Sequence, residues 1–471
     1  MQSTRTRTLV TLATLITLLG LAAGTAQAAT YDWNVDNSGA WDSSGNWTSG
    51  DGTDYPNATD DIANLDNNIT ADRTITIPTG GVDVDTATIG DSDAGSVFII
   101  SGGKLNTQSG LTIDNGATVQ IDADIGLPNQ QALSGNGSSG LLILTGDVIS
   151  NNKYQAVTIA NNGLTTRFSG TVTNIKQRAS VSGGSTLQVA KDGTLNDYSS
   201  GIGVGGTVST YGGDRAVTDR FSFSQDSVFD GSNGNLSIGG AAFSGPNWFS
   251  APSANINDGT LTITGDISWN LDANGQGVYI PFDNGTLEIT GSGNTYSADG
   301  DVEFRGTGSL LLNNGDGSAT GTGNTLILAS GVTLGGDGST ASNVSLDGTI
   351  NPGNSVGELD IGGVIFNDGS ELVIELDGSG NDILNVAGDV DLSSGSDTLR
   401  FTGAPSSSTF TFVNYAGTLT GTFDTVIDET NSLNLDKLSY SGGVFAIIPE
   451  PTTALLLALP SLLALRRRQR K

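Results

Sequence analysis

One short motif recurs along the chain: GTLTITGDI at residues 259–267, GTLEITGSG at 285–293 and GSLLLNNGD at 308–316. Successive copies begin at Gly259, Gly285 and Gly308, so their spacing is nearly constant. In each copy, apolar and polar residues alternate and turn residues follow, which is the pattern of a short β-strand that ends in a turn. This spacing is typical of one coil of a parallel β-helix, in which each strand stacks on the strand of the previous coil.

The same alternation extends from Ala29 to Ile447, and a fourth copy of the motif, GLLILTGDV, begins at Gly140. We therefore expect an all-β chain whose main element is a right-handed parallel β-helix. Leu, Ile and Val would face its interior, and Thr, Asn and Ser would face solvent. Short strands at this spacing also permit a series of antiparallel β-sandwich domains.

Three segments make up the expected body: an N-terminal cap over residues 29–70, repeats over 71–345 and a strand region over 346–447. The last of these could form a separate β-sandwich-like cap. Trp33, Trp41 and Trp47 lie in the first segment, and we expect them to close the open end of the solenoid rather than to stack on sugars.

Residues 196–256 are rich in glycine and aromatic residues and depart from the repeat pattern. We interpret this stretch as an irregular insertion or a long side loop. Within it, Trp248 and Phe249 are candidates for contact with a ligand.

The composition excludes several kinds of chemistry. The 471 residues include no histidine and no cysteine, so there is no imidazole base, thiolate nucleophile, disulfide or His or Cys metal site. The chain carries 19 basic and 49 acidic residues, a formal net charge of −30. Nucleic acid is a poor partner for a surface of this sign, so we expect none.

Residues 1–28 have the pattern of a secretory signal peptide. Arg5 and Arg7 precede an apolar run at 9–23, and Ala26 and Ala28 supply the small residues of a cleavage site. An uncleaved membrane anchor is the alternative. In either case we expect a short hydrophobic helix here.

The C-terminal segment, residues 448–471, reads IPEPTTALLLALPSLLALRRRQRK. It closely resembles the PEP-CTERM sorting signal of Gram-negative bacteria. The matching residues are Pro449, Glu450 and Pro451, a short hydrophobic stretch at 454–465, and Arg466, Arg467 and Arg468. The resemblance implies transient inner-membrane anchoring by a second short helix, with cleavage near the motif by an exosortase. An ordinary tail anchor is the alternative.

Removal of both end segments takes away seven basic residues and one glutamate. The body then keeps 12 basic and 48 acidic residues, a net charge of −36. Such a body suits a hydrated surface or a cation-rich matrix.

The body also resembles exported proteins with autotransporter-associated β-strand repeats. The matching stretches are 285–312, with its GTLEITG strand and NTY turn, 346–363, with GTINPGNSVG, and the closing strands at 410–426 and 438–448. The opening at 31–50, with its W…GNW pattern, is similar to the start of such proteins.

An enzyme remains an alternative, because parallel β-helices often carry polysaccharide lyases and hydrolases. Hydrolysis needs two carboxylates at a defined separation. Candidate pairs are Asp60/Asp61, Asp83/Asp85, Asp122/Asp124 and Asp389/Asp391. The basic residues are scattered and match no lyase motif, so we interpret the pairs as turn or surface residues and expect no catalytic activity.

We expect no cofactor, and calcium is the leading candidate if a ligand is bound. Residues 378–384, GSGNDIL, match one copy of a calcium-binding repeat, with Asp382 as the candidate ligand. Stacked copies are needed in such sites, and no adjacent second copy is present.

These observations predict an exported structural or adhesive protein of the cell surface or of an exopolysaccharide matrix. Its expected partners are an exosortase-type enzyme and an exopolysaccharide or another envelope component. The alternative is a β-helix that binds or degrades polysaccharide.

Overall fold

The computed structural model of this chain describes residues 28–49, 54–91, 95–114, 116–127, 131–136, 139–150, 157–173, 179–196, 201–244, 254–270, 278–291, 296–298, 300–313, 324–405, 407 and 409–447. Both hydrophobic end segments lie outside these residues, as do the helices expected there. Within the described ranges, the helical elements are two single 3-10 turns, Ser44–Asn46 and Leu435–Lys437.

The strands form a parallel β-solenoid, which confirms the predicted fold. A complete coil contributes strands to three faces, in the chain order face 2, face 3, face 1. Face 1 stacks Thr30–Trp33, Ile62–Leu65, Val82–Gly90, Leu105–Asp114, Ala132–Gly135, Val157–Asn161, Ala179–Val181, Ile202–Val204, Arg220–Phe223, Gly240–Ser244, Ile267–Asn270 and Tyr296–Ala298. Farther along, the same position in the coil holds Glu358–Ile361, Ile383–Val386 and Phe410–Tyr415.

Face 2 runs the length of the body. It stacks Gly39–Ala40, Arg73–Ile77, Val97–Gly102, Thr118–Ile121, Leu141–Leu144, Thr165–Phe168, Thr186–Val189, Thr207–Thr210, Ser227–Asp230, Ala254–Asn257, the first parts of Val278–Thr290 and Val302–Asn313, then Thr325–Leu328, Asn343–Leu346, Val364–Phe366, Val390–Leu392 and Leu419–Gly421.

Face 3 begins with the first parts of Val82–Gly90 and Leu105–Asp114, which bend round a corner into face 1. It continues with Ile125–Gly126, Val148–Ile149, Val172–Thr173, Arg215–Ala216, Leu236–Ile238, Thr260–Ile263, the second parts of Val278–Thr290 and Val302–Asn313, then Val332–Gly336, Thr349–Pro352, Glu371–Leu376, Thr398–Gly403 and Thr425–Asp428.

The coils differ in length although their strands stay paired. On face 2, Thr118 pairs with Leu141 across a coil of ordinary length. The coil that separates the paired residues Leu326 and Val344 is shorter, whereas the coil between Val390 and Leu419 is longer. The differences fall largely in the turns, and the strands of each face stay paired from coil to coil, with a register shift at some pairs.

The predicted repeats stack as the sequence indicates. Thr260, Thr286 and Ser309 are neighbours on face 3, and Leu261, Leu287 and Leu310 stack directly inside them. Each of these leucines is at most 2% exposed, and full burial of such a side chain contributes about 1.5–3 kcal/mol. The similar motif that begins at Gly140 lies elsewhere, since its strand Leu141–Leu144 belongs to face 2.

The interpretation of residues 196–256 as an insertion is wrong for the part that the structure describes. Residues 201–244 and 254–257 form regular coils whose strands pair with the coils on either side. The aromatic rings replace aliphatic residues in the core: Phe223, Phe243 and Trp269 stack with centroid distances of 5.2 and 4.7 Å. Trp248 and Phe249 lie outside the described residues.

The N-terminal tryptophans pack together at the first coil of the solenoid. Trp47 lies between Trp33 and Trp41, with ring centroids 5.1 and 4.9 Å away, and Trp41 is fully buried. The indole N–H of Trp41 donates to the Pro56 carbonyl at 2.8 Å. Strand Trp47–Ser49 pairs antiparallel with the first strand of face 1 and therefore covers its open edge.

At the other end, the described part of region 346–447 continues all three faces as far as Thr425–Asp428. The chain then forms an antiparallel hairpin of Leu438–Ser441 and Val444–Ile447, which covers the last strand of face 1. The β-sandwich-like cap left open by the sequence is thus a hairpin on the end of the same solenoid.

Two stacked glycines mark a close contact between coils at one corner. A Cβ atom on Gly170 would lie 1.9 Å from the carbonyl oxygen of Gly146, and one on Gly146 would lie 2.2 Å from that of Ala123. Since neither distance is possible for real atoms, the coils approach closely here only because side chains are absent.

We predict that Gly170→Ala lowers the free energy of unfolding by about 1–3 kcal/mol, because the added methyl group forces neighbouring coils apart. The matched control is Gly80→Ala, where a Cβ atom would meet nothing within 4 Å. Urea denaturation of both variants checks this, and equal stabilities would contradict it.

Candidate functional surfaces

Aspartates at the corners of the solenoid bind the backbone of neighbouring coils. Their carboxylates accept backbone N–H groups from the adjacent coil, and the donors include residues that open the next strand. The pairs are Asp72 with Val97, Asp124 with Asp147, Asp147 with Thr171, Asp192 with Ala216, Asp214 with Asn235, Asp301 with Thr325, Asp389 with Thr418, Asp397 with Asp424 and Asp424 with Ser396, at 2.6 to 3.0 Å.

The aspartate pairs considered for catalysis are also tied into the fold, through local turns or through side chains of the adjacent coil. Asp61 accepts the N–H groups of Asn57 and Ala58, and Asp85 accepts the Ser109 hydroxyl at 2.6 Å. Asp122 accepts the Thr145 hydroxyl. In the last pair, Asp391 accepts the N–H of Ser393. Each pair therefore has at least one member with a structural role.

Asp382, the calcium candidate, is fully buried and holds a turn in place. One carboxylate oxygen accepts the N–H of Gly357 at 2.9 Å, and the other accepts the N–H of Glu375 at 2.6 Å. Within the described ranges, no group of three or more acidic side chains is arranged to hold a metal ion. The local geometry is that of an anchor between coils.

Burial raises the pKa of Asp382 to about 7, and the nearby carboxylates of Glu375 and Asp337 act in the same direction. The two amide hydrogen bonds oppose this shift, because they favour the charged form. Burial also raises the pKa of Asp219, whose two oxygens accept the N–H groups of Leu195 and Asn196 at 2.7 Å.

A shallow groove lies on the C-terminal part of face 1. Asp360, Asn385 and Asn414 stand in register on three successive coils and form its polar side. The amide nitrogen of Asn385 donates to Asp360 at 2.6 Å and also to Glu358, and that of Asn414 donates to the Asn385 oxygen at 2.8 Å. The other lining residues are Ile361, Val386, Ala387, Tyr415 and Ala416.

This groove was not predicted from the sequence. Its polar residues belong to three different coils, within strands that read as ordinary alternating sequence. The sequence alone shows two of its features. Asn385 and Asn414 fall at solvent-facing positions of their strands, and the aromatic residue Tyr415 ends a strand. Only the register of the coils brings them together.

The residues expected at the signal-peptide cleavage site and in the C-terminal sorting signal lie mostly outside the described part of the chain. Ala28 is its first residue, whereas Ala26, Pro449, Glu450, Pro451, Arg466, Arg467 and Arg468 lie beyond it. A helix long and apolar enough to cross a membrane is not found in the ranges that the structure describes.

No family model, curated protein or solved structure matches this chain. The fold and the surfaces above therefore stand on the chain's own residues.

We predict that Asp382 makes stability depend on pH. Its folded-state pKa of about 7 lies above the ordinary value of 3.8, so its stabilising contribution is complete below the ordinary value and is lost as pH rises through 7. The free energy of unfolding of the wild type minus that of Asp382→Asn should be greater at about pH 5 than at about pH 8, by about 2–3 kcal/mol.

Urea denaturation at the two pH values measures this difference. Asp368→Asn, which removes an exposed carboxylate from a turn, controls for the loss of one charge. A pH-independent difference between wild type and Asp382→Asn would show that Asp382 is ionised throughout.

Proposed function

We propose that this chain is an exported, acidic β-solenoid that serves as a structural or adhesive component of the cell surface or exopolysaccharide matrix of a Gram-negative bacterium. In this proposal, a signal peptide directs export through the inner membrane. The C-terminal segment then anchors the chain transiently until an exosortase-type enzyme cleaves it near Pro449-Glu450-Pro451.

The continuous solenoid, whose face 1 is covered at both ends, supports a structural role. One core cluster extends from Tyr31 to Phe445, so the body is a single elongated unit. Antiparallel strands cover face 1 at both ends, which disfavours uncontrolled end-to-end strand pairing. Its outer surfaces carry stacked threonines such as Thr165, Thr186 and Thr207.

The observation that carries the proposal is the use of the acidic residues. In every aspartate pair considered for catalysis, at least one carboxylate is engaged in a turn or a contact between coils. An inverting or retaining hydrolase needs two carboxylates that converge across a substrate. These carboxylates serve the architecture of the body, which favours a scaffold over a catalyst.

Mass spectrometry of protein from cell-envelope and medium fractions tests the processing. We expect a mature N-terminus at Ala29 and loss of the basic segment 466–471. A variant with Pro449, Glu450 and Pro451 all changed to Ala should keep that segment and remain with the inner membrane. Mature protein outside the cell with an intact RRRQRK end would contradict the proposal.

Two further measurements separate a scaffold from an enzyme. The mature protein should co-sediment with matrix exopolysaccharide and release no soluble saccharide from it over time. Release that is abolished by Asp122→Asn together with Asp124→Asn, with an unchanged melting temperature, would instead establish the enzyme.

A further inference from the structure

We infer that the groove on face 1 binds a neutral, linear polysaccharide along the axis of the solenoid. This inference rests on the proposed function, because it supplies the chemical class of the matrix component that the scaffold holds. The ladder of Asp360, Asn385 and Asn414 forms the polar side of the site, and Tyr415 forms an aromatic end.

The ladder presents polar atoms at a regular spacing. Adjacent coils lie about 4.8 Å apart, which is close to the length of one pyranose unit in an extended glycan. The three side chains are held by hydrogen bonds to one another, so little rotamer entropy is lost on binding. Oδ2 of Asp360 and Oδ1 of Asn414 receive no hydrogen bond from the described residues and can accept sugar hydroxyl groups.

Tyr415 supplies an apolar surface next to these acceptors. Its ring is partly exposed and rests against Phe445, with centroids 5.5 Å apart. By contrast, the rings of Tyr211 and Tyr279 lie under the guanidinium groups of Arg167 and Arg305, at 3.4 and 4.3 Å.

Small residues keep the space beside Tyr415 open. Ala387 and Ala416 line the groove and are both exposed. An apolar ring face beside fixed polar groups is the arrangement that accommodates both the C–H face and the hydroxyl groups of a sugar.

The negative charge of the groove favours a neutral ligand over an anionic one. The carboxylates of Asp360 and Glu358 stand at the groove, and among the described residues no lysine or arginine lines it. An anionic saccharide such as a uronate would therefore be repelled, whereas a neutral glycan would not. The described acidic side chains also do not gather into a metal site that could bridge an anion to the wall.

Isothermal titration of the mature protein with cellohexaose, and separately with hexagalacturonate, tests the inference. We expect binding of the neutral probe and at least about tenfold weaker binding of the charged one. Asn385→Ala and Tyr415→Ala should each weaken cellohexaose binding about tenfold or more, because each removes one side of the site. Asn367→Ala is the matched control, since Asn367 donates to Ser345 in another asparagine contact between coils, outside the groove.

Ala387→Glu gives a second route to the same answer. Ala387 is exposed, so the substitution leaves the core intact while it fills the groove. Loss of cellohexaose binding with an unchanged melting temperature supports the inference. Three results would overturn the inference: equal or tighter binding of hexagalacturonate, cellohexaose binding that survives Ala387→Glu, or no binding of cellohexaose. The proposed function is judged separately, on processing and localisation, which none of these results changes.

Discussion

The hydrogen bonds from backbone amides to corner aspartates are the constraint on which the rest of this solenoid depends. Parallel ladders satisfy the backbone along each face, but the ladder is interrupted wherever the chain turns. Coils as unequal as the one between Leu326 and Val344 and the one between Val390 and Leu419 cannot all turn in the same way. A carboxylate that reaches the adjacent coil, such as that of Asp147 at the Thr171 amide, supplies the missing acceptor without a fixed turn geometry.

This arrangement accounts for part of the acidity of the chain. An asparagine can accept one such hydrogen bond, but its NH₂ group would oppose a second backbone N–H, whereas a carboxylate accepts at both oxygens. Asp219 and Asp382 each do so with two amides. The cost is repulsion between like charges, because corner carboxylates recur on successive coils, as Asp124 and Asp147 do. Dissolved ions reduce this repulsion.

Much of the fold could be predicted because the strand motif is local. Alternation fixes which residues are inside, and the spacing of Gly259, Gly285 and Gly308 indicates the coil length where coils are regular. Aromatic coils such as those of Phe223 and Phe243 were misread because large rings and short turns do not resemble the aliphatic motif. The motif at Gly140 was assigned to the same series although it lies on another face, since the motif carries no information about position within a coil.

The candidate site could not be predicted for a related reason. Asp360, Asn385 and Asn414 become neighbours only through the register of three coils of unequal length, and no local pattern encodes that register. A local sequence motif singles out Asp382, but its burial and its two amide donors depend on residues elsewhere in the stacked coils. Sequence spacing indicated possible metal chemistry there, whereas the structure gives the carboxylate a role in holding coils together.

Amide hydrogen exchange at Thr171 in Asp147→Ala tests the corner interaction most directly. If the carboxylate of Asp147 holds this amide, its loss should raise the exchange rate about tenfold, which corresponds to about 1.4 kcal/mol of local stability. Asp368→Ala, which removes an exposed carboxylate elsewhere, should leave exchange at Thr171 unchanged. Equal exchange rates at Thr171 in the wild type and in Asp147→Ala would contradict the account.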